Sequence, residues 1–184
     1  LTGANDDLVD GSQTSTVTLS VVDGSSDDDF DGVADQTVSV ATTDSDVAGF
    51  TVIESGGTTT VAEDGSTTDD FTVVLDAQPI SDVVISVTSS DTGEVTVSPA
   101  TLTFTSGNWD SSQTVTVTGV DDSLIDGSQT TTITIAVVDE SSNDSFDSLS
   151  DQTVSVSTAD DDTAGFTVSQ TDGTTSVSEG GSTD

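Results

Sequence analysis

The 184-residue sequence contains no lysine, arginine, histidine, cysteine, tyrosine or methionine, and only two prolines and one tryptophan. Each absence removes a class of chemistry. Without cationic side chains nothing can displace counterions from phosphates, so nucleic acid and anionic membrane surfaces are excluded as partners. No residue can serve as an imidazole base, an amine or thiolate nucleophile, a phenolic acid or a guanidinium clamp. Without cysteine there are no disulfides, and the redox compartment cannot be read. No apolar run approaches the roughly 20 residues of a membrane helix, so membrane insertion is not expected. No secretory leader is recognisable, and the sequence reads as mature interior sequence of something longer.

What is present is negative charge: 35 Asp and Glu give a formal net charge of −35. Only 30% of residues are hydrophobic and 4% aromatic. Low hydrophobicity with high charge borders on disorder. Two features set this chain on the folded side, a two-residue alternation and an internal repeat.

Shifting the sequence by 116 positions aligns residues 2–68 with 118–184 without a gap, at about 40 identities in 67 pairs. TGANDDLVDGSQTSTVTLSVVD (2–23) matches TGVDDSLIDGSQTTTITIAVVD (118–139), and DSDVAGFTV (44–52) matches DDDTAGFTV (160–168). A period of 116 exceeds the roughly 20–45 residues of solenoid repeats and suits a self-contained domain in tandem. The chain divides into the C-terminal part of one unit (1–46), a complete unit (47–162) and the N-terminal part of the next (163–184). The junctions 44–47 and 160–163 are too short for independent tumbling.

Within the complete unit, segments bounded by Gly, Asp, Ser and Pro alternate with period two. Phe71, Val73 and Leu75 share one face, as do Val83, Ile85 and Val87; Leu102 and Phe104; Val115 and Val117; Ile133, Ile135 and Val137; Val154 and Val156. The opposite faces are mostly Thr and Ser, which suit an exposed pleated surface. Strand spacings are too short for crossover helices, and no stretch shows a 3.6-residue period. The expectation is an all-β fold, tandem antiparallel β-sandwich domains of about seven strands with almost no helix. Trp109 is expected to pack at a sandwich edge. Asn143-Asp144-Ser145 fits a glycosylation sequon.

The acids concentrate between strands: Asp6, Asp7 and Asp10; Asp27 to Asp35; Asp44 and Asp46; Glu63 and Asp64; Asp121, Asp122 and Asp126; Asp139 to Asp151; Asp160 to Asp162. Two carboxylates about 4 Å apart repel by roughly 1 kcal/mol in water and several times more at a protein surface. No side chain can neutralise them. An acid run is ordinarily a solvated face, and acid-rich surfaces also suit high-salt surroundings. Placement at strand ends favours calcium, whose preferred ligands are carboxylates and backbone carbonyls. One stretch, Asp27-x-Asp29-x-Asp31-Gly32-x-x-Asp35, has the alternating spacing of a calcium loop. Val38 stands where an EF-hand has its twelfth-position Glu, so it is not an EF-hand.

VTVTGVDDSLIDG (115–127), LTFTSGNWDSSQ (102–113) and GFTV…VAEDG (49–65) resemble Calx-beta and Calx-beta-like repeats, which recur in large acidic bacterial surface and secreted adhesins. The resemblance covers the whole 116-residue unit. It implies an immunoglobulin-like, seven-stranded sandwich with calcium at one end, held by Glu63, by Asp121 and Asp122, and by Asp160, Asp161 and Asp162. Matching positions in the partial units are Glu179, Asn5 and Asp6, and Asp44 and Asp46. Where the family often continues E-G-D-E, this chain reads Asp126-Gly127-Ser128-Gln129, with Asp10 the counterpart of Asp126.

The functional expectation is an extracellular or cell-surface, secreted structural segment, a stalk, adhesin or filament stiffened by Ca2+. Its partners are neighbouring repeats of the same polypeptide and other copies in a filament. A carbohydrate- or partner-binding sandwich module is the alternative. An enzyme is not expected, because repetition of the acid pattern suits architecture better than a unique active site. Neighbouring chains completing the partial units by strand exchange is a further expectation.

Overall fold

Strands form where apolar residues alternate with Thr and Ser, and the computed structural model, which describes residues 1–170, 173, 175 and 177–181, follows that pattern. The elements are β1 (Gln13–Leu19), β2 (Gln36–Thr42), β3 (Phe50–Glu54), β4 (Thr59–Ala62), β5 (Thr68–Leu75), β6 (Val83–Ser89), β7 (Val95–Ser98), β8 (Thr101–Phe104), β9 (Gln113–Gly119), β10 (Gln129–Val137) and β11 (Gln152–Ala159). Three-residue 3-10 turns are the only helical elements among the described residues, and no helix is long and apolar enough to cross a membrane.

β3 to β11 make a two-sheet sandwich, one sheet in the order β4-β11-β10-β6-β8 and the other β3-β5-β9-β7. Inward-facing residues of both sheets form one core in which Phe71, Ile85, Leu102, Phe104, Val115, Ile133 and Ile135 are all buried. The alternating sets read from the sequence are its lining. Trp109 is half-buried and packs against this core.

The complete unit has nine strands rather than seven. The additional two are β4 and β7, which bury one hydrophobic side chain each, Val61 and Val95, so no alternating pair stands out in the sequence. One pairing is parallel, against the antiparallel expectation: β4 lies beside β11, with Val156 opposite Thr59 and Ala159 opposite Ala62. The cause is a sheet switch. β3 pairs with β5, then Gly56 (φ 67°) and Gly57 (φ 82°) turn the chain into the opposite sheet. A left-handed backbone of this kind is open to glycine at little cost.

Residues 13–42 form a separate antiparallel hairpin of β1 and β2. Gln13 opposite Thr42 and Leu19 opposite Gln36 reproduce, 116 positions earlier, Gln129 opposite Thr158 and Ile135 opposite Gln152. In the hairpin, however, the apolar face is open: Phe30 is 59% exposed where its counterpart Phe146 is fully buried. Likewise residues 165–168, a copy of Gly49–Val52, carry no strand. β3 needs β5 as its ladder partner, and 163–184 contain no copy of β5.

Among the described residues, the acidic loop of the hairpin unit meets the sandwich at Gln78. Val9 is buried in the sandwich core cluster, its N–H donates to the Gln78 carbonyl (2.9 Å), and the Gln78 N–H donates to the Asp7 carbonyl (2.7 Å). The acidic loop of one unit thus docks directly on the next.

Candidate metal centre

Glu63 follows the last residue of β4 and donates its N–H to the Ala159 carbonyl (3.0 Å), which fixes it beside the end of β11. β9 ends directly over it. A Cβ on Gly119 would lie 2.1 Å from the Ala62 carbonyl oxygen, so only glycine permits this approach. The loop leaving Gly119 then passes the Glu63 carboxylate, whose Oε1 accepts the Asp122 N–H at 3.3 Å. A third segment follows β11. Asp160 accepts the N–H of Gly127 (2.7 Å) and of Asp162 (2.7 Å), tying the two acidic loops together.

The result is a convergence of Glu63, Asp122 and Asp162, each offering a carboxylate oxygen within 4.8 Å of the others. Among the described residues it is the one such group of three. Glu63 is 3% exposed, and Asp122 and Asp162 are half-buried. Asp162 Oδ2 is buried without a hydrogen-bond partner. Burial of Glu63, followed by the charge of Asp122, pushes its pKa up to about 7. Asp162 is also raised, by burial first and then by Asp161 and Asp160.

An orphaned, buried acceptor beside a buried carboxylate is an arrangement the chain has no cation to offset. A hard cation suits it. Oxygens bound to one calcium at 2.3–2.6 Å cannot lie more than about 5 Å apart, and the three carboxylates meet that limit. Glu63, Asp122 and Asp162 would hold such an ion, which would supply positive charge and no chemistry beyond it.

Of the other residues read from the sequence, Asp121, Asp126 and Asp161 lie exposed on the two loops around this group, and Asp160 braces them. Glu94 went unnoticed in the sequence. It directly precedes β7, its carbonyl accepts the Val120 N–H (2.9 Å), and burial with the charges of Asp126 and Asp91 raises its carboxyl. Its only sequence signal was a lone acid at a strand end, and the sheet order is what brings it here.

In the hairpin unit, Asp6, Asp10, Asp44 and Asp46 line a pocket of about 250 Å³. Asp44 accepts the N–H groups of Asp10, Gly11 and Asp46, and these bonds lower its pKa, that from Asp46 most. Burial, then Asp44, raises Asp46. Glu179 is exposed and stands apart from any acid group described. Asp27, Asp29, Asp31 and Asp35 are all exposed and do not converge. Asp27 instead caps a 3-10 turn by accepting the Asp29 N–H (3.0 Å), since a short polar side chain next to a turn finds the nearest backbone donor. The second-copy counterpart, Asn143, is buried, donating to Ser81 Oγ and accepting from the Ser145 N–H. That leaves the sequon no room for a glycan.

No family model matches the sequence, and no curated protein matches it. Among solved structures, the chain is similar to the apo-form Calx CBD1 domain, at 15% identity and TM-score 0.39, over 61% of this chain and 98% of that one. It is also similar to domains 4 and 5 of the S-layer protein SbsC, at 25% identity and TM-score 0.39, over 68% of this chain. The periplasmic chaperone SfaE matches at 8% identity and TM-score 0.43, over 61% of this chain. The chain spans 57% of the SfaE chain and 53% of the SbsC chain.

Proposed function

We propose that the chain is a segment of an extracellular tandem-repeat stalk, adhesin or filament in which calcium held at one end of each sandwich stiffens the junction to the next. The observation that carries this reading is the buried Glu63 carboxylate beside Asp122 and the unpartnered Asp162 oxygen, in a chain with no cationic side chain. The loop that supplies Asp122 is the counterpart of the loop that docks Val9 on Gln78. An ion at its base therefore orders the same segment that clasps the neighbouring repeat. Extracellular calcium modules work at about 10⁻⁴–10⁻³ M, a range that a group of three carboxylates, one buried and two half-buried, suits. Ions bound only by the folded state stabilise it by mass action.

The test combines calcium titration calorimetry with small-angle scattering in calcium and in chelator. Millimolar or tighter binding that disappears in Glu63→Gln, with a longer and stiffer particle in calcium, is the expected result. An identical scattering profile in both buffers overturns the junction role, and absence of calcium heat overturns the site.

A further inference from the structure

The loops that carry Asp122 and Asp162 leave different strands, β9 and β11, and like charge drives them apart. Groups of the protein itself hold them together. Asp160 accepts the Gly127 N–H on Oδ2 and the Asp162 N–H on Oδ1, both at 2.7 Å, so each of its oxygens is committed to backbone. Gln129, the first residue of β10, donates its side-chain amide to the Asp126 carbonyl at 3.3 Å. The turn 126–129 is thus gripped from the end of β11 and from the start of β10. The same arrangement recurs 116 positions earlier. Asp44 accepts the N–H of Gly11 (2.7 Å) and Asp10 (3.0 Å) on Oδ2 and that of Asp46 (2.8 Å) on Oδ1, while Gln13 donates to the Asp10 carbonyl (2.9 Å). Gly11 and Gly127 share a positive φ, 70° and 73°. The acids beside the turn differ between the copies, Asn5 standing for Asp121 and Asp7 for Ser123, yet the hydrogen bonds are retained. They do not depend on one particular set of neighbouring charges.

We infer that Asp160 and Gln129 are positioning residues, a clamp that pre-forms the cation site from Glu63, Asp122 and Asp162 without touching the ion. The inference rests on the calcium reading given above and assigns two residues that act on that site from outside it. Asp160 is not among the carboxylates that converge within 4.8 Å, although it directly follows β11 and lies two residues from Asp162. Its bonds run from a carboxylate to backbone N–H groups, a charge-assisted pairing roughly twice as strong as a neutral one. In a chain without cationic side chains, those N–H groups are the positive partners within reach. Gln129 plays a part that a glutamate could not, because only the amide can donate to a carbonyl. A ligand set already held in place binds more tightly, since less ordering remains to be done on binding. Residues that orient metal ligands in this way change affinity by about 10–100-fold when they are replaced.

The test uses the 184-residue chain with Asp160→Asn and, separately, Gln129→Glu. Asparagine keeps the shape of aspartate but can accept on only one of its two terminal atoms, and glutamate cannot donate to the Asp126 carbonyl. A cooperative melting transition shows that each variant is folded. In chelator, hydrogen exchange at the Gly127 amide is expected to accelerate by at least about tenfold in Asp160→Asn, the effect of losing one hydrogen bond to a charged group. A residue that served only as an ion ligand would leave that exchange unchanged in the absence of metal. In calcium titration calorimetry both variants are expected to bind about 10–100-fold more weakly than the parent. Gln129→Glu is the sharper arm, because it adds a carboxylate near the site and would tighten binding if charge alone set the affinity. Unchanged Gly127 exchange in Asp160→Asn overturns the clamp and leaves the site standing, as does calcium affinity that is retained in Asp160→Asn or raised in Gln129→Glu. Absence of calcium heat in the parent overturns the calcium reading itself, and with it any action of the clamp on an ion.

Discussion

Gly119 and Ala62 approach so closely that a methyl group on the first would sit 2.1 Å from the carbonyl oxygen of the second. This contact joins the end of a strand in one sheet to the end of a strand in the other, and it sets the distance between Glu63 and the 120–127 loop. Gly119→Ala is expected to destabilise the sandwich by about 1–3 kcal/mol, the usual range for forced overpacking. Urea unfolding measures it. Calcium affinity should fall with it, since the shifted loop carries Asp122 away from Glu63. Unchanged stability would mean that the backbone yields more easily than this contact implies.

Glu63→Gln separates the structural from the ionic role of the site, since it removes a charge while keeping the shape. In chelator the variant is expected to melt higher than the parent, because a buried, repelled carboxylate has been neutralised. In millimolar calcium the order reverses, and calcium affinity falls by at least about 10–100-fold, the loss that even a supporting residue brings at a metal site. Melting curves in both buffers suffice. A variant less stable than the parent in chelator would show that Glu63 serves the fold through contacts other than metal.

The sequence made the core legible and the corner partly so, for different reasons. Burial follows a two-residue period that is written in each strand, so the faces of Phe71–Leu75 or Val83–Val87 can be read without knowing the fold. β4 and β7 escaped because each buries a single hydrophobic side chain, Val61 and Val95, whereas the equally short β8 shows the pair Leu102 and Phe104. The parallel β4–β11 pair escaped because it depends on Gly56 and Gly57 taking positive φ, and nothing in a Gly-Gly pair tells which sheet the chain enters next.

The acids divide in the same way. Glu63, Asp122 and Asp162 were named from resemblance to known repeats, and their convergence is a property of three loops meeting at one end of the sandwich. Glu94 reaches that end only through the place of β7 beside β9, which is tertiary information. The Asp27–Asp35 spacing matched a calcium loop letter by letter, yet local turn geometry used Asp27 as a cap. Spacing constrains which side chains can converge, and backbone hydrogen bonds decide whether they do.

Stability should depend on pH with opposite signs in the two metal states. In the metal-free protein Glu63 titrates near 7, against 4.5 for an ordinary glutamate. Between those values the folded state holds a proton that the unfolded chain has released, so stability falls as pH rises. The contribution is complete below pH 4.5 and lost above about 7. The raised carboxyls of Glu94 and Asp162 act in the same direction. Calcium needs the carboxylates deprotonated, so in saturating calcium stability should instead rise across the same window. Thermal unfolding from pH 4.5 to 7.5 in chelator and in calcium measures both slopes, and Glu63→Gln should flatten each. Parallel slopes in the two buffers would mean that calcium does not engage Glu63.

The docking of Val9 on the sandwich should be separable from the stability of the sandwich itself. Val9 lies in the core cluster of the following repeat, and two backbone hydrogen bonds at Gln78 flank it, yet no strand of that repeat depends on it. Val9→Asp places a carboxylate in an apolar socket where no cationic side chain can pair with it, and the cost of burying an unpaired charge exceeds what one valine contact returns. The loop is therefore expected to lift off. Amide exchange at Val9 and Gln78 should accelerate, and the scattering profile should broaden toward a hinged pair, while the melting temperature of the sandwich changes little. The counterpart pair Leu124 and Ile125 is exposed in this chain, so Ile125→Asp should leave both readouts unchanged. If Val9→Asp instead unfolds the sandwich, the loop belongs to the core of the repeat it touches, and the two units fold as one.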